Sequence, residues 1–529
     1  MLRQITRTHA AHVWTEVVLL ACMAFLALGV HAFLASYREM MPAGDTFNFI
    51  NASHALRHAK YPVDEKRPPF YSFLIFVSKP FITDDIDRAT AISVLGGVGG
   101  IVTLYAIGRH LKLPHFALLP FLTTAVFDPY LTLYGIRPLS QGIFFGLLGL
   151  SVLLVMRAKE ATGSLVFLGF VLTALALTRL EGIPIAILLW VYLFFRLDWK
   201  RVLVVALSSL ILLLPWLVVV TRTTGSPLKF PGSGAYLEET TSGKRGTSDP
   251  LKVMNGVVTI VSDTWALPWK IPVLLLDTNE REGDPYLVSL FTHAGWLVGM
   301  LGIIGFFWLL VTHPKRMIPV VLAFGLVVLI AAWYRPSLKY ASPFLATWYL
   351  CAASGAMTIG YILAKLLKSK IVGTAATALI GVYTAFLILT PYAIHAAGLV
   401  TENFGDRYAT MQAIKYVAKK EGVVLVPDYH YMARVYLGEV EGAAWEQRNA
   451  IYLHDFEEGR SLVEQRSYMI ERNVRYVIDS GSERSKALLG YLSGRGELRL
   501  NKNFQSFTPK KEAAEMVSIV AFTPIADTK

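Results

Sequence analysis

The amino-acid sequence contains few cysteines and few charged residues for a chain of 529 residues. Its two cysteines, Cys22 and Cys351, both fall inside apolar runs, which excludes a disulfide framework and a cysteine-based zinc site. Charged residues make up 17% of the chain, where an ordinary soluble domain carries about a quarter, so a cytosolic globular enzyme is not expected. The sequence also lacks a Walker loop, an HExxH pair and a GxSxG elbow, so ATP hydrolysis, zinc proteolysis and serine hydrolysis lack their required parts.

Apolar residues dominate the sequence instead, with 54% of the chain and a mean hydropathy of +0.48. Runs of about 20 apolar residues are long enough to cross the hydrocarbon core of a bilayer. The pattern predicts an all-α polytopic membrane domain over residues 1–396. The eleven predicted spans are residues 15–36, 88–108, 115–128, 139–156, 163–178, 182–196, 201–221, 291–311, 317–333, 341–363 and 371–395.

Basic residues are concentrated in the short connections on one side of these spans. If the N-terminal head stays in the cytoplasm, the head and the connections predicted on that side together hold 14 basic and two acidic residues. The long connections on the other side, residues 37–87 and 222–290, are close to charge balance. This segregation favours an odd number of spans and a C-terminal domain outside the cytoplasm. Because no cleavage site clearly follows it, the first run is interpreted as a signal anchor.

The tail, residues 397–529, has the pattern of a small separate α/β domain. An amphipathic stretch at 407–420 predicts a helix, and short apolar runs at 423–428, 475–479 and 516–522 predict strands. The tail holds eighteen basic and eighteen acidic residues, so it offers no basic face for nucleic acid.

The first long connection carries an acid ahead of an amphipathic stretch. Asp45 lies nine residues past the predicted end of the first span, and apolar residues at helical spacing follow it. The spacing predicts a helix lying on the membrane surface, for which Asp45 is either an N-cap or a chemically active group. Further along, Lys66 and Arg67 precede a double proline and a short apolar segment. These two cations either anchor the loop to anionic lipid or bind substrate.

Ionisable residues also stand at the ends of later spans. Asp128 and Arg137 flank the second outer connection, and Arg179 and Glu181 stand in the third, enclosed by apolar sequence. Ionisable groups this close to hydrocarbon are costly unless they are paired or line a wet cavity. A structural ion pair and a functional role both stay open for Arg179 and Glu181.

The fifth outer connection contains cations without an acid. Arg335 and Lys339, the latter followed by Tyr340, lie on the side where membrane topology disfavours cations. Arginine offers a planar fork of donors and lysine a point charge, so a phosphate or pyrophosphate ester is the expected partner. Interfacial anchoring by basic and aromatic residues is the alternative.

In this order, the motifs resemble those of the GT-C superfamily of integral-membrane glycosyltransferases, particularly protein O-mannosyltransferases and lipid A aminoarabinose transferases. The resemblance covers residues 15–396. Relatives often have Arg-Tyr where this sequence has Lys339-Tyr340, and Glu-Lys-Pro-Pro where it has Lys66-Arg67-Pro68-Pro69. The steps that carry the resemblance are Gly44-Asp45, Arg67-Pro68-Pro69-Phe70, Arg179 to Gly182, and Lys339-Tyr340.

The resemblance implies a GT-C-like catalytic domain over residues 1–396, which transfers a sugar from a polyprenyl-phosphate donor to a glycan, lipid or protein hydroxyl outside the cytoplasm. Asp45 would be the catalytic residue, either as the general base or as the acid that positions the acceptor, and Arg67 would meet the donor phosphate. The metal ligands are unknown, and assistance by Mg²⁺ or Mn²⁺ stays open. The other residues expected to bind substrate are Lys66, Asp128, Arg137, Arg179, Glu181, Arg335, Lys339 and Tyr340.

Two other functions stay open on the sequence. A transporter or flippase for lipid-linked saccharides also needs many spans, and it predicts internal repeats, of which the sequence shows none. A non-catalytic membrane assembly protein would bind its partners through the tail. In each case the lipid bilayer is a partner, nucleic acid is not, and we expect the bacterial inner membrane as the location.

Overall fold

The structure is a computed structural model, and the chain in it divides into two compact units. The helical unit comprises Met1–Tyr37 and Lys66–Leu399, and the α/β unit comprises Arg38–Glu65 and Val400–Lys529. The domain boundary predicted at residue 396 stays a prediction. The residues that the structure describes are 2–37, 44–62, 67–158, 162–226, 249–260, 285–334, 338–399, 408–420, 422–426, 439–441, 444–446, 450–452, 460–479, 483–507 and 513–525.

The described part of the helical unit consists mainly of helices. Residues 250–260 are also helical, and a π-helical turn, Val321–Gly325, separates the helices α12 and α13. The named helices are α1 (Leu2–Tyr37), α3 (Phe70–Val77), α4 (Asp85–His110), α5 (His115–Val126), α6 (Pro129–Ile136), α7 (Gln141–Arg157), α8 (Thr162–Ala176), α9 (Gly182–Arg196), α10 (Trp199–Thr224), α11 (Pro285–Thr312), α12 (Pro314–Val320), α13 (Leu326–Tyr334), α14 (Leu338–Leu366) and α15 (Lys370–Leu399).

Each of the eleven apolar segments predicted from the sequence coincides with a helical segment. Within the described residues, seven helices are long and apolar enough to cross a membrane, which confirms the all-α polytopic membrane domain. The four segments that fall on α5, α7, α8 and α9 are shorter, with 10–17 residues. At 1.5 Å per residue they are about 15–25 Å long, against about 30 Å of hydrocarbon. The number of eleven spans therefore stays a prediction.

Helices α4 and α7 approach each other through glycines. A Cβ atom on Gly96 would lie 2.3 Å from the Cα atom of Ile143, and a Cβ on Gly142 would lie 2.3 Å from the carbonyl oxygen of Ser93. No real side chain tolerates such distances, so only glycine permits this packing. Small residues at helix interfaces let backbones approach closely in membranes, where burying apolar surface gives no driving force. The contact holds the start of α7 beside Ser93.

Polar contacts gather several connections at one end of the helical unit, which we call the Arg109 end. Arg109 donates two hydrogen bonds from Nε and Nη2 to the Glu16 carboxylate of α1, at 2.9 and 2.5 Å. Arg316 Nη1 donates to the carbonyl oxygen of His110 at 2.5 Å, and Tyr192 donates to that of Lys315 at 3.4 Å. The connections after α4, α9 and α11 therefore share one end, as the predicted alternation of spans requires.

The helix α2 (Gly44–Ala55) belongs to the α/β unit, and protein covers part of the apolar face that was predicted to rest on a membrane surface. Phe49, Ala52 and Ala55 are buried in protein, and so is Asn51 on another face of the helix. The helix contacts the strand Glu439–Glu441. Helical spacing of apolar residues indicates a buried face, but it does not distinguish protein from lipid as the material that covers the face.

The α/β unit contains a five-stranded sheet in the order β4-β1-β5-β7-β6 and a hairpin of β2 and β3. Strands β4, β1 and β5 are parallel, and β7 pairs antiparallel with β5 and β6. The three predicted strands correspond to β1, β5 and β7, so the α/β domain is confirmed. The elements are α16 (Tyr408–Val417), β1 (Val423–Val426), β2 (Glu439–Glu441), β3 (Ala444–Glu446), β4 (Ala450–Tyr452), α17 (Leu462–Glu471), β5 (Val474–Asp479), α18 (Glu483–Gly494), β6 (Leu498–Phe507) and β7 (Ala513–Phe522).

A buried ion pair joins α17 to the residue before β6. Arg466 donates from Nε and Nη2 to the Glu497 carboxylate at 2.8 and 2.5 Å, and Ile525 N–H donates to it at 3.0 Å. The hydrogen bonds from Arg466 outweigh the cost of burial and lower the pKa of Glu497 to about 2. The pair therefore stays charged at neutral pH, and it ties the C-terminal residues to the sheet.

Candidate functional site

The polar segments that the sequence places at separate outer connections meet at the end of the helical unit opposite the Arg109 end. Tyr71 of α3 donates to the carbonyl oxygen of Ala89 at 2.8 Å and contacts Ser93 Oγ at 2.8 Å. The Ser93 hydroxyl in turn donates to the carbonyl oxygen of Leu139 at 2.8 Å. These bonds join the first outer connection to the second through α4. We call this region, residues 67–72, 137–141 and 177–181 with Ser93, the junction.

The third outer connection joins the junction through the backbone. Phe70 N–H donates to the carbonyl oxygen of Leu177 at 2.8 Å. The first N–H groups of a helix have no partner inside it, and Pro69, the N-cap of α3, supplies no side-chain acceptor. The carbonyl of Leu177 satisfies one of them. Half-buried Arg67 thus lies three residues before a backbone contact with the segment that carries Arg179.

Arg179 and Glu181 form an ion pair within the junction. Arg179 Nη2 lies 2.8 Å from Glu181 Oε1 and Nε lies 3.3 Å from Oε2, while Nη1 donates to Ser140 Oγ at 3.4 Å. The guanidinium also lies 5.7 Å from the centre of the Phe144 ring. Burial raises the pKa of Glu181, but the charge and hydrogen bonds of Arg179 outweigh it and hold the pKa below its ordinary value. The two residues therefore largely cancel each other's charge.

Asp128 is buried at the start of α6. Its Oδ1 accepts a hydrogen bond from Leu131 N–H at 3.0 Å, and its Oδ2 accepts one from the Tyr349 hydroxyl of α14 at 2.8 Å. The first bond is typical of an N-cap, and the second ties α6 to α14. Arg137 is half-buried in the tight turn between α6 and α7, where Leu139 N–H donates to its carbonyl oxygen at 2.6 Å. Binding of substrate by Asp128 and Arg137 stays a prediction.

Asp45 lies in the first turn of α2 and is partly exposed. A carboxylate there interacts favourably with the positive end of the helix dipole, so the position alone accounts for an acid. Its role as the catalytic residue stays a prediction. Lys66 and Arg335 lie outside the described residues. Lys339 and Tyr340 fall in the first turn of α14, and their side chains lie outside the described part of the structure.

No three His, Cys, Asp or Glu side chains gather to form a metal site among the described residues. The acids with described partners pair with Arg88, Arg109, Arg179, Arg201 or Arg466, or accept hydrogen bonds from neutral donors as Asp128 does. Assistance by Mg²⁺ or Mn²⁺ stays open.

Reasoning from the sequence missed the neutral residues that join helices in and near the junction. Tyr71, Ser93 and Tyr349 each donate or accept across helices, and each lies within an apolar helix. A hydroxyl in an apolar helix is a weak signal, because many such hydroxyls bond to the carbonyl four residues earlier in their own helix, as Thr347 does. In this sequence nothing distinguishes the two kinds.

Comparison with solved structures identifies the fold. The chain is similar to the crystal structure of ArnT from Cupriavidus metallidurans bound to undecaprenyl phosphate, with a TM-score of 0.50, 13% identity, and coverage of 96% of this chain and 98% of that chain. It is similarly related to ArnT in the apo state, with a TM-score of 0.52, 14% identity, and coverage of 97% and 98%. No family model and no curated protein matches the sequence.

Proposed function

From an ArnT-like, GT-C fold that extends over nearly the whole chain, we propose that the protein is a membrane glycosyltransferase that uses a polyprenyl-phosphate sugar as donor. The observation that carries the proposal is the combination of this fold with a junction of polar residues at the end of the helical unit opposite the Arg109 end. The acceptor is a hydroxyl of a glycan, a lipid or a protein. The reaction takes place on the side of the membrane that faces the junction, which we propose lies outside the cytoplasm.

A polyprenyl phosphate is already a good leaving group, so the chemistry needs two things from the protein. The acceptor hydroxyl must lose its proton, and we assign this step to Asp45 as general base, a contribution of about 10²–10⁴-fold. The negative charge on the departing phosphate must be stabilised by cations. The acceptor oxygen then forms a bond to the anomeric carbon as the bond from that carbon to the phosphate oxygen breaks.

The junction narrows the choice of cations for the phosphate. Arg179 already shares its charge with Glu181 at 2.8 Å, so a phosphate would have to compete with a carboxylate for it. We therefore assign the phosphate to Arg67, Lys66, Arg335 and Lys339, and we assign to Arg179 and Glu181 the positioning of the segment beside Arg67. This revises the expectation that Arg179 binds substrate directly.

A transfer assay tests the proposal. The purified full-length protein is supplied with undecaprenyl phosphate linked to mannose, galactose, glucose or aminoarabinose, and with cell-envelope extract as the source of acceptor. We expect the wild type to transfer one of these sugars, and Asp45→Asn to lower turnover at least a hundredfold. Arg335→Ala should weaken turnover and raise the KM for the donor, since it removes a phosphate ligand.

Matched variants separate chemistry from loss of charge. Asp87 is exposed and lies in the first turn of α4, as Asp45 does in α2, so Asp87→Asn should leave turnover unchanged. Lys79 is exposed in the connection after α3, so Lys79→Ala is the matching control for Arg335→Ala and should leave turnover unchanged. Wild-type turnover in both Asp45→Asn and Arg335→Ala would remove the site assignment. If no glycosylated lipid is consumed by the wild type, the function itself is wrong.

A further inference from the structure

The oxygen atom of a buried amide at the junction has no hydrogen-bond partner among the described residues. Gln141, the first residue of α7, is only 7% exposed. Its Oε1 atom is buried and accepts no hydrogen bond within the part of the chain that the structure describes. Buried polar atoms are nearly always hydrogen-bonded in native proteins, so an exception at a candidate site calls for a partner that comes from outside the chain.

Gln141 lies close to the ion pair of the junction. Gln141 and Phe144 are three residues apart and therefore lie on the same face of α7. Arg179 lies over the Phe144 ring, and it donates to Ser140, the residue directly before Gln141. The buried hydroxyl of Ser72 also has no partner in the described structure. Ser72 directly follows Tyr71, which contacts Ser93, and Ser93 donates to Leu139. Two polar groups that lack partners thus belong to one junction.

Position distinguishes Gln141 from a similar group deeper in the same helix. The Ser151 hydroxyl is also buried without a partner among the described residues. It lies ten residues further along α7, which is about 15 Å at the rise of an α-helix. That depth puts Ser151 among apolar helices, whereas Gln141 lies where the connections meet. Ser151 therefore provides a control for the removal of a buried polar group from α7.

The chemistry of the free atom selects its ligand. An amide oxygen only accepts hydrogen bonds, so its partner must present an O–H or N–H group. A phosphodiester offers acceptors alone, so the phosphate of the donor does not satisfy this oxygen in the orientation that the structure gives the amide. The nearby charges of Arg179 and Glu181 largely cancel, so the surroundings favour a neutral, hydroxyl-rich group.

We propose that Gln141 is a specificity-determining residue that accepts a hydrogen bond from a hydroxyl or amino group of the sugar carried by the lipid phosphate. The inference rests on the proposed function and adds to it the place of the sugar: beside the start of α7, next to Arg179. It assigns sugar recognition to Gln141 and phosphate recognition to the cations named above, so the two can be measured separately.

A binding experiment on the full-length protein in lipid nanodiscs tests this division. Its probes are undecaprenyl phosphate and the same lipid linked to mannose, galactose, glucose or aminoarabinose. The wild type should bind at least one sugar-bearing lipid more tightly than the bare lipid phosphate. Gln141→Leu should reduce that gain about five- to tenfold, as expected for one neutral hydrogen bond, and leave the Kd for bare undecaprenyl phosphate unchanged. Ser151→Ala should change neither value.

A second measurement varies the ligand instead of the protein. Each hydroxyl of the preferred sugar is replaced in turn by hydrogen. In the wild type one of these deoxy ligands should lose the same five- to tenfold, and in Gln141→Leu that ligand should bind as well as the complete sugar. This coupling requires direct contact. It also keeps the inference testable if Gln141→Leu fails to fold, because a wild type that is indifferent to every deoxy position would overturn the inference.

The outcomes separate the two proposals. If the wild type binds none of the five lipids, the proposed function fails and the inference fails with it. If the wild type binds them all equally, or if Gln141→Leu keeps the whole sugar-dependent gain, the donor class stands and the role of Gln141 is wrong. Additive effects of Gln141→Leu and the deoxy ligands would also overturn it, because they would indicate that the amide and the sugar hydroxyls act independently.

Discussion

Removal of the Ser93 hydroxyl should destabilise the helical unit by an amount that can be derived from its contacts. The hydroxyl donates to the carbonyl oxygen of Leu139 at 2.8 Å and lies 2.8 Å from the Tyr71 hydroxyl. In Ser93→Ala, Tyr71 keeps its bond to Ala89, but the Leu139 carbonyl loses its side-chain donor in a buried place. Leaving one buried acceptor unsatisfied costs about 1–3 kcal/mol.

Ser151→Ala is the matched control for this prediction. Both serines are 0% exposed, they lie on the neighbouring helices α4 and α7, and the Ser151 hydroxyl has no partner in the described structure. Its removal should leave stability unchanged or raise it slightly, because a buried polar group without a partner is lost.

Equilibrium unfolding in mixed detergent micelles, followed by circular dichroism, measures both variants. The expected result is a loss of about 1–3 kcal/mol for Ser93→Ala and no loss for Ser151→Ala. Equal effects in the two variants would refute the reasoning, because packing alone would then account for both. A Ser93→Ala variant as stable as the wild type would show that Ser93 does not hold the junction together.

Three further predictions concern packing, charge pairing and pH. Gly96→Ala should lower the free energy of unfolding by about 2–3 kcal/mol, because the added methyl group overlaps the backbone of α7. Gly163→Ala should not destabilise the protein, because the space around its Cβ is open. Thermal unfolding compares the two variants. Glu181→Gln should lower the free energy of unfolding by about 2–3 kcal/mol in the same assay, because it leaves the Arg179 cation uncompensated. The double variant Arg179→Met with Glu181→Leu should lose less stability, because it removes both charges. The pKa of Glu497 lies near 2 in the folded chain, below its ordinary value near 4.5. Its ionised form therefore contributes about 3 kcal/mol to the free energy of unfolding. This contribution is complete above pH 4.5 and is lost as the pH falls from there to about 2. Acid unfolding of Glu497→Gln should lack this pH-dependent part, and a wild-type curve that does not change over this range would contradict the assignment.

The helices of the apolar segments could be predicted from the sequence because hydrocarbon imposes a simple requirement on the chain. In lipid every backbone polar group needs a partner within its own segment, so long apolar runs become helices wherever they occur. The helix α2 shows the limit of this reasoning. Its apolar spacing indicates a helix correctly, yet Phe49 and Ala52 are covered by protein, and only tertiary structure decides which material covers a face.

The junction was only partly predictable, because its contacts join residues that are remote in sequence. Arg179 and Glu181 are two residues apart, and their pairing follows from their isolation within apolar sequence. The bond between Tyr349 and Asp128 spans 221 residues, and that between Ser93 and Leu139 spans 46. Such bonds depend on the close approach of the glycine faces of α4 and α7 and on the packing of α14. A single sequence contains no signal that pairs these hydroxyls with their acceptors.

The fate of the donor tests the central claim most directly, since transfer and transport differ in what happens to the lipid. The full-length protein is reconstituted in vesicles with undecaprenyl phosphate that carries a labelled sugar, and with envelope extract as acceptor. The account predicts that the protein releases one undecaprenyl phosphate for each sugar that appears on an acceptor, and that both products disappear together in Asp45→Asn. Movement of intact glycosylated lipid across the vesicle membrane, without release of lipid phosphate, would contradict it.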